Sequence, residues 1–459
     1  MNPVVTELAP KEMATPRYPC YPMPERFVEA YTADDYGLAL KQRRIGPGPL
    51  AQPLSLYVHI PFCESLCYFC SCNKSITRQH QRGAQYLRCL QREVDLTTGP
   101  LGTGQTVTQL HLGGGTPTFL SDAELHQLLG LLRRSFAFAP AADCSIEVDP
   151  RTVDEARLQS LARLGFGRLS LGVQDLDPQV LKAVHRPQDG AAVLALIGSA
   201  RRAGFSAVTV DLMHGLPRQT PESVADTLES ILRLRPDGVA LYHYAHLPER
   251  FRSQRRLVAS ALPGEASRRE MLAQSTSALL AAGYVHLGIS RFALPTDALA
   301  VARRQGRLRR SMQGYSAHPE CDLVGLGVSA ISRIGAAYAQ NAQTLADYAD
   351  ALEHGRLPVA RGLALTRDDL VRRAVIMALL CQGQVLFESI ELAWLIDFQA
   401  YFGRELAQLR RHQARGLVFV DGAGIQATSR GGFALAEIAM EFDRYLQADR
   451  NRAQYARII

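Results

Sequence analysis

Leu54-Ser-Leu-Tyr57-Val-His59-Ile-Pro-Phe-Cys63-Glu-Ser-Leu-Cys67-Tyr-Phe-Cys70-Ser-Cys72-Asn-Lys74 decides how this chain is read. Its first part, Leu54–Ile60, is a strand-length apolar run. Three cysteines follow at C-x3-C-x2-C, and four of the nine cysteines in the chain fall within ten residues here. Thiols that only fill a core have no reason to gather like this, so the cluster points to chemistry. A structural zinc site closes on four ligands, commonly from two separated knuckles, and no partner pair at knuckle spacing lies downstream. A four-cysteine iron–sulfur site would recruit Cys72, which is poorly placed for a separate corner only two residues from Cys70. Three thiolates on three irons of a [4Fe–4S] cluster leave the fourth iron open to a small molecule. Phe62, Tyr68 and Phe69 would exclude water from such a site. Zinc and an inert thiol cluster stay open at this point.

Downstream, strand-like runs recur at Val107–Leu112, Cys144–Val148, Gly167–Val173, Ala207–Leu212 and Gly238–Tyr244. Segments with helical spacing separate them: Asp122–Ser135, Val153–Leu164, Ala191–Ala203 and Pro221–Leu234. Serial β-then-α units predict a parallel sheet with helices outside. Polar and glycine-rich residues follow each run: His59-Ile60-Pro61, Gly113-Gly114-Gly115-Thr116-Pro117, Glu147-Val148-Asp149-Pro150, Gln174-Asp175, Asp211 and Tyr244-Ala245-His246. In parallel α/β barrels the strand ends converge on the active face, so a single site is expected there.

The remaining divisions are an N-terminal arm over 1–50, a barrel with its extension over 51–345 and a mainly helical C-terminal domain over 346–459. That last part is predicted to hold helices at Leu345–Glu353, Arg367–Leu380, Ile390–Gln413 and Phe433–Ala448, with a small hairpin at Leu417–Val420 and Gly424–Ala427.

At 459 residues, 47% hydrophobic and 21% charged, the chain has the balance of a globular protein. No apolar run is long enough for a membrane span, and no secretory signal opens the chain, so a cytoplasmic protein is expected. An odd number of cysteines argues against a disulfide framework. The net charge is +7, and only four of the 51 cations are lysine. The arginines are scattered without a nucleic-acid motif, so nucleic-acid binding is not expected.

C-x3-C-x2-C after a first strand, preceded by Tyr-x-His-Ile-Pro-Phe, resembles the radical S-adenosylmethionine (SAM) superfamily. Cys70-Ser71-Cys72-Asn73-Lys74 narrows this. The chain resembles the oxygen-independent coproporphyrinogen III oxidases (dehydrogenases) of anaerobic haem biosynthesis. Further matching strings are Gly113–Thr118, Ile146–Arg151, Leu171–Asp175, Gly215–Pro221, Tyr244–Pro248, Gly325–Ser332 and Ala364–Asp369.

The resemblance implies an α/β fold, a partial parallel (β/α)6 radical-SAM barrel with an N-terminal arm and a mainly helical C-terminal domain. It implies Cys63, Cys67 and Cys70 as ligands of a [4Fe–4S] cluster, with Cys72 outside the ligand set. It implies two molecules of SAM. Tyr57, Gly114, Glu147, Ala245 and Ile331 would line the first; Phe69, Gly115, Thr116, Gln174, Arg186 and Asp211 would line the second. The implied reaction converts two propionates of coproporphyrinogen III to vinyls, giving protoporphyrinogen IX. It would need a low-potential electron donor and an electron acceptor, in a monomeric enzyme. Arg17 is the expected contact for a substrate propionate.

The chain departs from the family's usual strings at Cys20, His214, His243, Ser290, Arg291 and Met312. These lie in the arm, the later strand ends and the post-barrel loop, where Ser290, Arg291 and Gln313 are further substrate candidates. A paralogue is therefore the second reading, acting on another tetrapyrrole or substrate by methylation, cyclopropanation or ring opening. The third is a non-catalytic haem chaperone.

Overall fold

The computed structural model describes Tyr18 and residues 20–45, 52–102 and 104–455. The chain forms two compact units. The larger joins Phe27–Ser275 to Glu320–Ala364. The smaller joins the N-terminal stretch up to Arg26 to Thr276–Pro319 and the segment from Leu365 onward.

In the larger unit six parallel strands lie side by side in chain order: β1 (Leu54–Ile60), β2 (Thr106–Gly114), β3 (Ala137–Val148), β4 (Arg168–Gln174), β5 (Ala207–His214) and β6 (Gly238–His243). On its other side β1 pairs with the parallel strand Asp322–Leu326, which leads into antiparallel strands Ile331–Ile334, Ala337–Asn341 and Val359–Ala364. This is a mixed, mainly parallel sheet, and β1 is paired away from β6, so these strands do not close a ring by themselves. Leu54, Leu56, Val58 and Ile60 are fully buried on one face of β1 and Ser55 and His59 are buried on the other, as a strand covered on both faces requires.

The crossover helices start where their caps say. Ser121 and Glu124 form a reciprocal capping box on Asp122–Ser135. Thr220 and Ser223 do the same on Pro221–Leu232, and Asp154 and Asp189 cap Glu155–Arg163 and Gly190–Arg202.

Two features of this unit escape the sequence pattern. Ala33–Ile45, within the stretch expected as an arm, is a helix. Its buried Tyr36 donates to Ser332 Oγ at 3.0 Å, and Arg43 pairs with Asp322 at 2.7 Å, so long-range contacts hold a helix whose own periodicity is weak. The antiparallel strands beyond Leu326 are only four to six residues long. Runs that short carry little alternation.

The smaller unit packs Arg367–Gln382 against a three-stranded sheet of Gln384–Leu386, Gly424–Ala427 and Val418–Val420. Its core includes Val371, Val375, Leu379, Phe398, Phe402 and Phe442, together with Tyr18 and Tyr21. The helix expected over Ile390–Gln413 is three pieces: Phe387–Trp394, Phe398–Tyr401 and Gly403–Ala414. Leu395 ends the first in a left-handed conformation, and Asp397 caps the second by accepting from the Ala400 amide. The expected helix over Phe433–Ala448 is likewise broken, into Leu435–Ala439, a 3-10 turn at Met440–Phe442 and Arg444–Tyr455. Asp443 makes that last break, since its carboxylate accepts from the amides of Tyr445 and Leu446. Among the described residues no helix is long and apolar enough to cross a membrane.

A candidate active site at the strand ends

The cysteine loop leaves β1 and is closed at its base. Phe62–Cys63 pairs in parallel with Ser75–Ile76, with the Ser75 amide on the Pro61 carbonyl at 2.6 Å and the Thr77 amide on the Cys63 carbonyl at 2.9 Å. Lys74 Nζ donates to the carbonyls of Cys70 and Cys72 at 3.2 and 3.3 Å, tightening the last turn. The Tyr68 amide reaches the Val184 carbonyl, and the Tyr68 ring stacks on His185 at 4.9 Å. Gln254, buried after β6, donates to the carbonyls of both Phe69 and Ala245 at 3.2 Å, while Ser253 Oγ donates to Cys70 O at 2.7 Å.

The sulfurs are not equivalent. Cys63 Sγ accepts from Thr116 Oγ1 at 3.4 Å. Cys67, 8% exposed, accepts from two guanidinium groups, Arg186 at 3.3 Å and Arg151 at 3.5 Å. Asp149 lies between these arginines, at 2.6 Å from Arg151 and 3.1 Å from Arg186. Burial pushes its carboxyl up, but Arg186 and then Arg151 outweigh this and hold it below the usual carboxylate range. Burial also pushes the Cys63 thiol up to about 11. Cys70 is lowered to about 6, first by a hydrogen bond from Cys72 and further by Lys74.

Beside the loop, Tyr57 stacks on His111 at 5.9 Å, and its hydroxyl meets His59 Nδ1 at 3.1 Å. His111 Nε2 and the Gly114 amide both contact the Glu147 carboxylate, at 3.3 and 3.2 Å. Gly114 has φ +114°, and a Cβ there would lie 2.7 Å from the His59 ring. At Gly115 a Cβ would lie 2.8 Å from the Phe62 carbonyl. Close packing of this turn against the cysteine loop therefore demands glycine. Gln174 ends β4 with φ +70°, a left-handed conformation uncommon for a side chain of its kind. Asp211 accepts from Ser170 at 2.9 Å. Ile331 packs its backbone on Gly325, the residue in register with Tyr57. The residues expected around the cluster and SAM thus fall in the larger unit, on its strands or in the loops between strands and helices.

Residues 57–231 match the model of the Radical SAM superfamily, and residues 365–434 match that of the HemN C-terminal domain. The chain is 45% identical to the oxygen-independent coproporphyrinogen III oxidase of Pseudomonas aeruginosa, over 98% of this chain and 97% of the relative. It is 43% identical to the protein of that name in Escherichia coli, over 97% and 96%. The solved Escherichia coli coproporphyrinogen III oxidase, described as a radical SAM enzyme, superposes with a TM-score of 0.89 over 94% of this chain and 97% of that one. The chain belongs to the oxygen-independent coproporphyrinogen III oxidase family. Its members are radical SAM oxidoreductases of haem biosynthesis, and they use a [4Fe–4S] cluster and SAM.

The donor set fits the family's cluster. Three thiols sit on one closed loop, and two of them already accept N–H or O–H donors, as thiolates carrying an iron cluster would. Among the described residues no three His, Cys, Asp or Glu side chains close on one point as ligands of a single ion do. Cys72 is exposed and its side chain hydrogen-bonds Cys70.

The family resemblance also singled out residues in the smaller unit. Ser290, at φ +54°, turns between strands Val285–Gly288 and Arg291–Ala293. Met312 and Gln313 turn the hairpin between Arg309–Ser311 and Gly314–Ser316. Tyr315 links the two turns: its hydroxyl accepts from the Ile289 amide and donates to the Leu380 carbonyl, each at 3.1 Å. Cys20 is buried, and burial pushes its thiol up to about 12, the environment of an inert packing thiol. Arg17 lies outside the described residues.

Sequence reading passed over Asp149, Arg151, Ser253 and Gln254 as site residues. Asp149-Pro-Arg151 directly after β3 was the available signal, since Asp-x-Arg at a strand end invites an ion pair. Ser253 and Gln254 had none, because only folding brings them back to the loop.

Proposed function

We propose that this protein decarboxylates two propionate side chains of coproporphyrinogen III to vinyl groups, yielding protoporphyrinogen IX. The observation that carries this reading is the closed three-cysteine loop at the strand ends, in a chain aligned nearly end to end with named coproporphyrinogen III oxidases. Cys63, Cys67 and Cys70 would hold the cluster. Tyr57, Gly114, Glu147, Ala245 and Ile331 would line a first SAM, and Phe69, Gly115, Thr116, Gln174, Arg186 and Asp211 a second. When bound there, the cluster and SAM would supply the chemistry for hydrogen-atom abstraction from the propionate β-carbon, SAM being split to methionine and a 5′-deoxyadenosyl group.

The chain's own residues prepare this site. Gln254 holds Phe69 and Ala245 to one carboxamide, so candidates for both SAM positions share a support. Thr116, Arg151 and Arg186 place partial or full positive charge on the sulfurs, which favours the reduced cluster. His59 is buried and its imidazole is held below its ordinary value by that burial, so it stays neutral and orients the Tyr57 hydroxyl. Arg17, Ser290, Arg291 and Gln313 are the proposed substrate contacts.

After loss of the hydrogen atom the propionate gives up CO2 and one electron. An external acceptor must take that electron, and a low-potential donor must have supplied the first. Nine unpaired cysteines fit a reducing compartment, so we place the enzyme in the cytoplasm.

The test is anaerobic. Reconstituted protein, SAM, a low-potential reductant and coproporphyrinogen III are combined and the products weighed by mass spectrometry. Loss of two CO2 units with deoxyadenosine formation is expected. Deoxyadenosine or S-adenosylhomocysteine without decarboxylation would move the chain to a paralogous chemistry.

A further inference from the structure

His214 and His243 occupy register-paired positions at the ends of β5 and β6. Their ring centroids are 5.1 Å apart. His214 is 2% exposed, and its Nδ1 has no hydrogen-bond partner. An imidazole nitrogen left unmet in a buried place costs stability, so its retention asks for a reason.

The third member is Arg268. Its methylenes pack on Gly215, where a Cβ would stand 3.3 Å from Arg268 Cδ and 3.7 Å from the His243 ring. His243 and Arg268 are the charged neighbours of His214, and both are of like sign to it when protonated. The nearby acid on the same helix, Glu265, is exposed and pairs with Arg269. Two imidazoles and a guanidinium thus gather at the strand ends without a carboxylate among them. A metal ion would find only two ligands there, beside a fixed cation that repels it. An anion would find up to three donors in a partly dry site, where charge-assisted hydrogen bonds are strong. His243 and Arg268 are each partly exposed, which leaves that side of the cluster open to solvent, while His214 lies beneath it.

We propose that His214, His243 and Arg268 form a carboxylate-binding subsite that anchors one propionate of the substrate; the identity of that carboxylate rests on the reading of function above. All three act as positioning residues, holding a side chain that is not reacting.

The test uses the full-length reconstituted enzyme and Arg268→Met, Arg268→Lys and His243→Gln. KM for coproporphyrinogen III rises about tenfold in Arg268→Met and His243→Gln while kcat changes less than twofold, and Arg268→Lys recovers most of the loss. Coproporphyrin III, followed by its absorbance, binds Arg268→Met about tenfold more weakly than the unaltered chain, whereas its tetramethyl ester binds both alike. Should Arg268→Met fail to fold, His243→Gln carries the same measurements. Unchanged KM and porphyrin affinity in both neutral variants overturn the subsite, as does an ester that binds as tightly as the acid. An unaltered chain that makes no vinyl product but keeps this charge-dependent porphyrin binding strikes the reaction and supports the subsite.

Discussion

Asp149 in the larger unit and Asp369 in the smaller are both buried acids crossed by arginine, and their surroundings differ in one respect. Asp369 accepts from Tyr21, Thr366 and Arg444, and Arg444 in turn lies over the Tyr445 ring and pairs with Asp368. Every donor in that network ends on another part of the same fold. Asp149 accepts from Arg151 and Arg186, and each of those arginines has an N–H left over that ends on Cys67 Sγ. The same ion-pair chemistry closes on itself in one unit and points at a reactive sulfur in the other. A buried charge network is therefore a clue to function only when its donors reach beyond it.

The largest expected effect tests this contrast directly. Asp149→Ala leaves two guanidinium groups buried without their counter-ion, and should cost about 3–5 kcal/mol in urea unfolding. Asp369→Ala should cost less, about 1–3 kcal/mol, because Arg444 is partly exposed and keeps Asp368, so the main loss is the buried Tyr21 hydroxyl left without its acceptor. Only Asp149→Ala, or the milder Asp149→Asn, should shift the reduction potential and EPR signal of the reconstituted cluster. Equal spectral changes in both would erase the distinction.

A third buried acid extends the comparison to pH. Glu93 accepts from Tyr348, Asn341 and the Gly327 amide, has no arginine, and burial raises its carboxyl from 4.5 to about 7. Between those values the folded chain binds the proton more tightly than the unfolded one. Its contribution to stability is therefore present below about pH 4.5 and lost as pH rises through 7, by about 3 kcal/mol at ~1.4 kcal/mol per pH unit. Hydrogen exchange at the Gly327 and Val328 amides, measured at pH 5 and pH 8, should show weaker protection at the higher pH after correction for intrinsic rates. Glu93→Gln should flatten the difference.

The smallest effect concerns the other bonded sulfur. Thr116→Val removes one hydroxyl donor from Cys63 without changing shape, and should cost about 1 kcal/mol. The cluster potential should fall here, by less than it rises in Asp149→Asn, since one neutral donor is lost from Cys63 whereas Asp149→Asn removes the negative charge that offsets two arginines on Cys67. A fall in Thr116→Val larger than that rise would reverse the ranking of the two sulfurs.

How much was legible beforehand differs along the chain for identifiable reasons. Asp122–Ser135 begins and ends where its spacing and its Ser121 cap indicate. The strands β1 to β6 are apolar runs bounded by helices, and their polar ends fall together because the sheet is parallel. The cysteine triad needed only spacing. Arg186 was legible as a site residue from the family resemblance, but its partners Asp149 and Cys67 were not, because all three come from different loops. The break at Leu395 left no glycine or proline to announce it.

What the amino-acid order determined alone was everything carried by short-range spacing: the thiol triad, the βα alternation, the caps and the glycine turn. What only the tertiary structure decided was which donors meet which sulfur, which acids are crossed by arginine, and where two imidazoles and an arginine gather without an acid among them. Periodicity is local and survives in a one-dimensional string. Electrostatic environment is set by groups tens to hundreds of residues apart, and it exists only once the chain has folded.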